Sequence, residues 1–274
     1  MPGAVPKSEH TGWRATLDLL FRRTPEKTVL ASGRHYGPLT VQRPFYPEGE
    51  TCHLYLLHPP GGIVGGDELA INVTLEDGSH TLITMPGASK FYRSCGPQSQ
   101  LHQRFDIGEN AILEWLPQDT IFFPAARATL HSIFHLQEGA KLLAWDLFCF
   151  GRPVMGERFS EGDISNRLEV WKNGEPLLIE RLRLSNGDLS AVAEQPWVGS
   201  LTCYPADEHM LEDVRDRLVP LDAFAGATLA DGLLMVRFLS HDNLVCQRAM
   251  RDVWQQLRPQ LLNKSPLLPR IWLT

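Results

Sequence analysis

Short runs of strict alternation between apolar and polar residues constrain this chain more than any other feature. Trp13, Ala15, Leu17, Leu19 and Phe21 alternate with mostly polar neighbours. So do Cys52, Leu54 and Leu56, then Leu69, Ile71, Val73 and Leu75, then Leu101, Phe105 and Ile107, with Gln103 as the polar exception. Successive side chains of an extended chain point to opposite faces, so a period of two builds half-buried strands. Gly, Pro, Asp and Asn punctuate the runs. The pairs Asp77-Gly78, Glu138-Gly139 and Asn173-Gly174 divide apolar stretches as hairpin turns do, which predicts antiparallel pairing.

A weak internal echo sharpens this. FDIGENAIL (105–113) aligns with FHLQEGAKL (134–142), a shift of 134 − 105 = 29 residues, and LEDGS (75–79) resembles LQEGA (136–140). A spacing of this size suggests stacked hairpin units, a short solenoid-like β stack. The alternative is a chance echo in a β-rich chain. The last quarter changes period. Met210, Leu211, Val214 and Leu218 recur at helical spacing, which predicts a helix near 207–219. Asp242 can cap a second helix near 242–261, whose stripe is Val245, Ala249, Val253, Leu257 and Leu261, with Pro259 in its last turns. GLLMVRFLS (232–240) reads as a buried strand between them. No linker-like shift in composition divides the chain, so residues 1–274 are read as one domain, with a loose tail over 1–10.

The bulk numbers exclude several roles. Net charge is −6 with no Lys/Arg block, which argues against nucleic-acid binding. The five cysteines are scattered and form no CxxC pair, as expected of reduced thiols in the cytoplasm. The N-terminus carries no secretory apolar segment, and no apolar run is long enough to span a membrane.

The chemistry-bearing stretches are fewer. HPPGGIVGGD (58–67) brings four glycines and a carboxylate together, so something must approach its backbone closely. Gly61 and Gly66 have phosphate-loop spacing, but Asp67-Glu68 stands where Lys and Ser/Thr are needed. His131 and His135 lie on a predicted strand, roughly 13 Å apart, too far for one ion. No GxSxG elbow and no zinc-type Cys/His spacing occurs. The anomaly is carboxylates inside apolar runs: Asp146 in KLLAWDLFCF, Glu180 in EPLLIERLRL, Glu114 in AILEWLP, and Asp67 after IVGG. A buried carboxylate is expensive without a partner. For each singly a salt bridge is expected, with Arg93, Arg127, Arg152 and Arg181 available. Together they suggest a polar internal path. If Leu143, Trp145 and Leu147 face inward, Asp146 faces the other way with Ala144 and Phe148, which is also apolar company.

The motifs HPPGGIVGGD, TMPGASKFYRS (84–94), LEWLPQDTIFFP (113–124), WDLFCFGRPVMGE (145–157) and PRIWLT (269–274) stand in an order that resembles the urease accessory protein UreD (UreH) family, from about Trp13 to Thr274. Pro86-Gly87 and Pro124-Ala125 depart from the pairs frequent in that family. The resemblance implies a non-enzymatic scaffold in the maturation of urease, a nickel enzyme. It implies binding to the urease apoprotein and to UreF, recruitment through UreF of the GTPase UreG, and a water-filled passage for nickel. It also implies a β-rich helicoidal fold with a pair of helices. No tightly bound cofactor is expected, only nickel in transit. On this reading Asp67, Asp146 and Glu180 line the path, with Ser89 and Glu114 as lesser candidates. Oxygen ligands suit transit, because imidazole and thiolate would hold Ni²⁺ too tightly. A purely structural adaptor without a metal role is the alternative, and an acid/base enzyme built on Asp67 or Asp146 a more distant one. The tail KSPLLPRIWLT is expected either to dock back or to insert into a partner.

Overall fold

The computed structural model describes residues 12–273; the expected loose tail at 1–10 and the final Thr274 lie outside the described residues. The strands run in the order β1 (Arg14–Arg23), β2 (Thr28–Tyr36), β3 (Thr40–Val41), β4 (Cys52–Leu57), β5 (Glu68–Leu75), β6 (His80–Thr84), β7 (Ser89–Phe91), β8 (Ser99–Ile107), β9 (Ile112–Leu116), β10 (Thr120–Phe122), β11 (Arg127–Leu136), β12 (Lys141–Arg152), β13 (Glu157–Arg158), β14 (Asp163–Lys172), β15 (Glu175–Leu184) and β16 (Trp197–Tyr204). Helix α1 (Glu208–Leu218) follows, then β17 (Phe224–Ala230), β18 (Leu233–Ser240) and helix α2 (Asn243–Leu262).

Two sheets and the helix pair make three layers. The first sheet has the order β15-β14-β11-β8-β5-β1-β2, and the second, of eleven strands, runs β17-β18-β16-β12-β9-β6-β4-β3 with β7, β10 and β13 beside it. One core fills the space between the sheets, and another lies between the second sheet and the helices. The alternating runs are the inner face: Leu69, Ile71, Val73 and Leu75 of β5 are all buried. Both helices fall where the 3.6-residue spacing predicts. Asp207 caps α1 by accepting from the Met210 amide, and Asp242 caps α2 by accepting from the Leu244 amide.

The solenoid-like stack is present, and it explains the echo. The 29-residue shift is the register of neighbouring parallel strands: Phe134 of β11 lies beside Phe105 of β8, and Lys141 of β12 beside Ile112 of β9. The Phe105 and Phe134 rings stack with centroids 4.5 Å apart.

The direction of pairing corrects the sequence reading. Antiparallel pairs occur at the ends of the stack, among them β1 with β2, β14 with β15 and β16 with β18. The middle is parallel, from β1 through β5, β8 and β11 to β14, and from β4 through β6 and β9 to β12. Asp77-Gly78 and Glu138-Gly139 are therefore corners between sheets, and only Asn173-Gly174 joins a hairpin. The cause is where the corner backbone finds its partners. The Gly78 amide donates to Glu109, the Asn110 amide to Glu138, and the Asp77 carboxylate accepts from the Glu109 amide. Each corner is satisfied by the next coil, not across a hairpin.

Of the glycines of HPPGGIVGGD, Gly62 and Gly65 are needed for contact within the chain, while Gly61 and Gly66 take a positive φ. A Cβ on Gly62 would lie 2.1 Å from the Tyr92 ring, and one on Gly65 would lie 2.2 Å from Ser94 Oγ. The turn packs on the KFYRS segment, with Ile63 bridging to Phe91. The C-terminal tail docks back on the scaffold: Trp272 is buried between Trp145 and Trp254 and donates to Thr84 Oγ1 at 3.0 Å.

Candidate functional site

Asp146 sits on β12, whose Leu142, Ala144, Phe148 and Phe150 belong to the core between the sheets, while Leu143, Trp145, Leu147 and Cys149 belong to the core under the helices. Strand alternation therefore aims its carboxylate inward. It faces a cavity of about 40 Å³, room for a few water molecules. The polar lining is Asp146, Ser89, Gln103, Thr120, Ser132, Asn166 and His58, set among more numerous Leu, Ile, Met, Pro and Phe side chains. Gln103 and Ser132 occupy inward positions of neighbouring strands and bond to one another at 2.8 Å.

Among the described residues Asp146 has no hydrogen-bond or ion-pair partner, and burial alone pushes its pKa up to about 7. It keeps some accessible surface because the cavity reaches it, although protein surrounds the group. His58 is half-buried, and burial lowers its pKa, partly offset by nearby Asp67. Its ring is therefore neutral at pH 7 and free to offer a lone pair.

The other candidates are arranged differently. Ser89 shares the cavity and leans on the Met85 sulfur at 3.8 Å. Asp67 is buried and accepts from the Trp13 amide at 2.8 Å and the Val64 amide at 2.9 Å, so it ties the glycine turn to the start of β1. Glu180 forms a two-toothed pair with Arg237, joining β15 of one sheet to β18 of the other. Neither carboxylate lines the cavity around Asp146. Glu114 faces the helices and accepts from His80, Trp254 and Arg258. Burial would raise its pKa, but His80 and Arg258 outweigh this and hold it at about 2. None of the arginines expected as partners fills that role. Arg127 pairs with Asp163 and Arg152 with Glu157.

Sequence reasoning passed over Ser132, Asn166 and His58 and noted Gln103 only as an exception. The signal was available for two of them. Gln103 and Ser132 each break an inward apolar series, and the 29-residue shift makes them neighbours. Elsewhere, His131 pairs with Glu169 and His135 with Asp106, as ordinary strand-face histidines do. Among the described residues no group of three or more His, Cys, Asp or Glu could hold a metal ion. No helix there is long and apolar enough to cross a membrane.

A family model described as UreD urease accessory protein matches residues 13–273. The chain belongs to the UreD family. It is 67% identical over 271 residues to "Urease accessory protein UreD" of Enterobacter sp. (strain 638), covering 98% of this chain and 99% of that protein. It is 66% identical to the protein of that name from Klebsiella pneumoniae subsp. pneumoniae, over the whole of both chains. To that of Pseudomonas entomophila it is 53% identical over 269 residues, 98% of this chain and 97% of that one.

Proposed function

We propose that this chain is a non-enzymatic scaffold of urease maturation that binds the urease apoprotein and UreF, recruits the GTPase UreG through UreF, and passes Ni²⁺ through its interior in the cytoplasm. Family membership supports the accessory role. One observation carries the metal step: an unpaired carboxylate, Asp146, aimed into a mostly apolar cavity between two sheets that holds a few further polar groups. A carboxylate in that setting is costly to keep, and the cost is explained if a cation is its occasional partner.

The donor set suits cargo rather than a resident metal. Asp146 offers one carboxylate, Ser89, Gln103, Ser132 and Asn166 offer neutral oxygens, and His58 a single imidazole. A hydrated cation would exchange waters for these oxygens and leave again, whereas a cluster of thiolates or imidazoles would retain it. With a pKa of about 7, Asp146 can give up a proton as the metal arrives and take one back as it departs.

Asp67 and Glu180 favour the adaptor reading for their own positions, since each already has partners in the scaffold. The test is complementation of a urease-expressing host that lacks this chain. Wild type restores urease activity; Asp146→Ala, at equal recovery of the complex, does not. Full activity with Asp146→Ala leaves the adaptor reading and removes the metal step.

A further inference from the structure

The coils of the stack turn in two unlike ways. Where the chain passes from the first sheet to the second, the corners at 76–79, 108–111 and 137–140 are short. Where it returns, the connections 58–67, 92–98 and 153–162 are longer, and only 123–126 is short. The central strands of each sheet run parallel, so all the return connections lie on one side of the molecule. Length added to a stacked repeat gathers on one face, often the face that binds. HPPGGIVGGD, TMPGASKFYRS, LEWLPQDTIFFP and WDLFCFGRPVMGE all run into this wall.

The wall is built, with each loop tied to the next. The Gly66 amide donates to the Gln98 carbonyl at 3.2 Å, the Ser94 amide to Ala125 at 3.0 Å, and the Ala125 amide to Glu161 at 2.9 Å. Tyr92 meets Phe123 edge-on with centroids 4.8 Å apart, and the Arg152 guanidinium lies 4.7 Å over the Phe123 ring. Arg152 also pairs with Glu157, and the Gly156 amide donates to the Pro153 carbonyl, so the last loop is braced at its base and closed at its turn. Its apolar tip nevertheless faces solvent: Val154 is 91% exposed and Met155 68%. At the other end of the wall Trp13 and Val64, whose amides both bond to Asp67, are 61% and 49% exposed. The loops also carry exposed Arg93 and Arg158, which have no ion-pair partner among the described residues, against one exposed carboxylate, Glu161.

Resting on the scaffold reading above, we propose that this wall is the docking surface for the urease apoprotein, with Val154 and Met155 as an anchor that enters an apolar socket rimmed by carboxylates. A tip held in shape before contact orders little chain on docking. The starts of β1, β5, β8, β11 and β14 stand side by side between the tip and Trp13, about 19 Å in all at about 4.8 Å per strand. Arg93 and Arg158 select the acidic rim, although the chain as a whole has a net charge of −6. The choice of urease follows from the cavity of Asp146. His58 and Ile63 come to its lining from 58–67, and Ser89 from β7, which leads into 92–98. The partner that receives the cation belongs on the wall that borders the cavity, and that partner is urease.

The experiment purifies the tagged chain from cells that also make urease apoprotein and UreF, and measures the urease and the UreF recovered per chain. Wild type is compared with Val154→Asp plus Met155→Asp, with Arg93→Glu plus Arg158→Glu, and with Val219→Asp, whose valine is 82% exposed in the helix layer. The tip variant is expected to lose urease by at least about tenfold, the scale of removing an interface anchor. Charge reversal gives a smaller, salt-sensitive loss, Val219→Asp gives none, and UreF is retained throughout. Wild-type recovery of urease with the tip variant overturns the docking wall and leaves the scaffold reading. Loss of UreF with urease retained overturns the choice of partner, and an equal loss of urease with Val219→Asp overturns the role of the tip. Absence of urease from the wild-type sample overturns the scaffold reading itself. Should the tip variant lose both partners, the charge reversal decides: loss of urease alone upholds the wall, and wild-type recovery rejects it.

Discussion

At the scale of the residue, Asp146 and Glu114 show how the same anomaly, a carboxylate in an apolar run, has two physical resolutions. Glu114 is held ionised by the Arg258 guanidinium and a hydrogen bond to His80, whose own pKa burial lowers, and fastens α2 to the sheet, with Arg258 also reaching Glu48 and the Ser265 carbonyl. Removing one member of such a buried set strands the others. Asp146 has no such set, so its ionised form opposes folding. The folded pKa of about 7 lies above the ordinary value of 3.8. Between these values the folded state holds more protons than the unfolded one, and stability declines as pH rises through that window. Asp146→Asn is therefore expected to be more stable than wild type at pH 8, by roughly 2–4 kcal/mol. The gain should shrink at pH 5, where wild type is largely protonated. Urea unfolding at the two pH values measures this, and equal stability of the two proteins at pH 8 would show that the carboxylate is solvated or paired. Alternation grouped Asp146 with Ala144 and Phe148, but it could not show that both faces of β12 are buried, so the sequence did not say which face borders the cavity. It offered no sign that Asp67 would be claimed by two backbone amides, because nothing in IVGGD records which way a turn folds.

At the scale of the element, the corners and the tail carry the surprises. A pair such as Asp77-Gly78 supplies a positive φ at Gly78 whether the chain reverses or merely turns a corner. Local turn chemistry therefore cannot separate a hairpin from a coil of a solenoid. The information that does is long-range: two segments with the same alternation phase at a fixed offset stack in parallel register, as β8 and β11 do. The helices were legible because their spacing, caps and apolar stripes are local. The tail was ambiguous, since an apolar segment near a terminus satisfies itself equally well on its own scaffold or on a partner. Here Trp272 contacts Trp145, Trp254 and Thr84 across the second core. Trp272→Ala should lower unfolding stability by about 3 kcal/mol, the range for deleting a buried aromatic side chain. An unchanged denaturation midpoint together with lost assembly would assign the tail to partner binding instead.

At the scale of the whole molecule, the sheets bring together residues that are far apart in sequence. Ser89, Gln103, Ser132, Asp146 and Asn166 come from β7, β8, β11, β12 and β14, and a single coil contains no more than part of the set. That is why the cavity could not be read from any one motif, while the family and the β stack could. An unpartnered carboxylate in a mostly apolar pocket costs stability, and a packing role alone does not account for it. The account predicts that the pocket serves a cation on its way to urease. The most direct measurement is the nickel bound per urease active site after urease is activated with Asp146→Asn in place of wild type, at equal amounts of assembled complex and limiting nickel. The account predicts urease that is assembled but largely empty of metal. Urease loaded to the wild-type level under those conditions would contradict it.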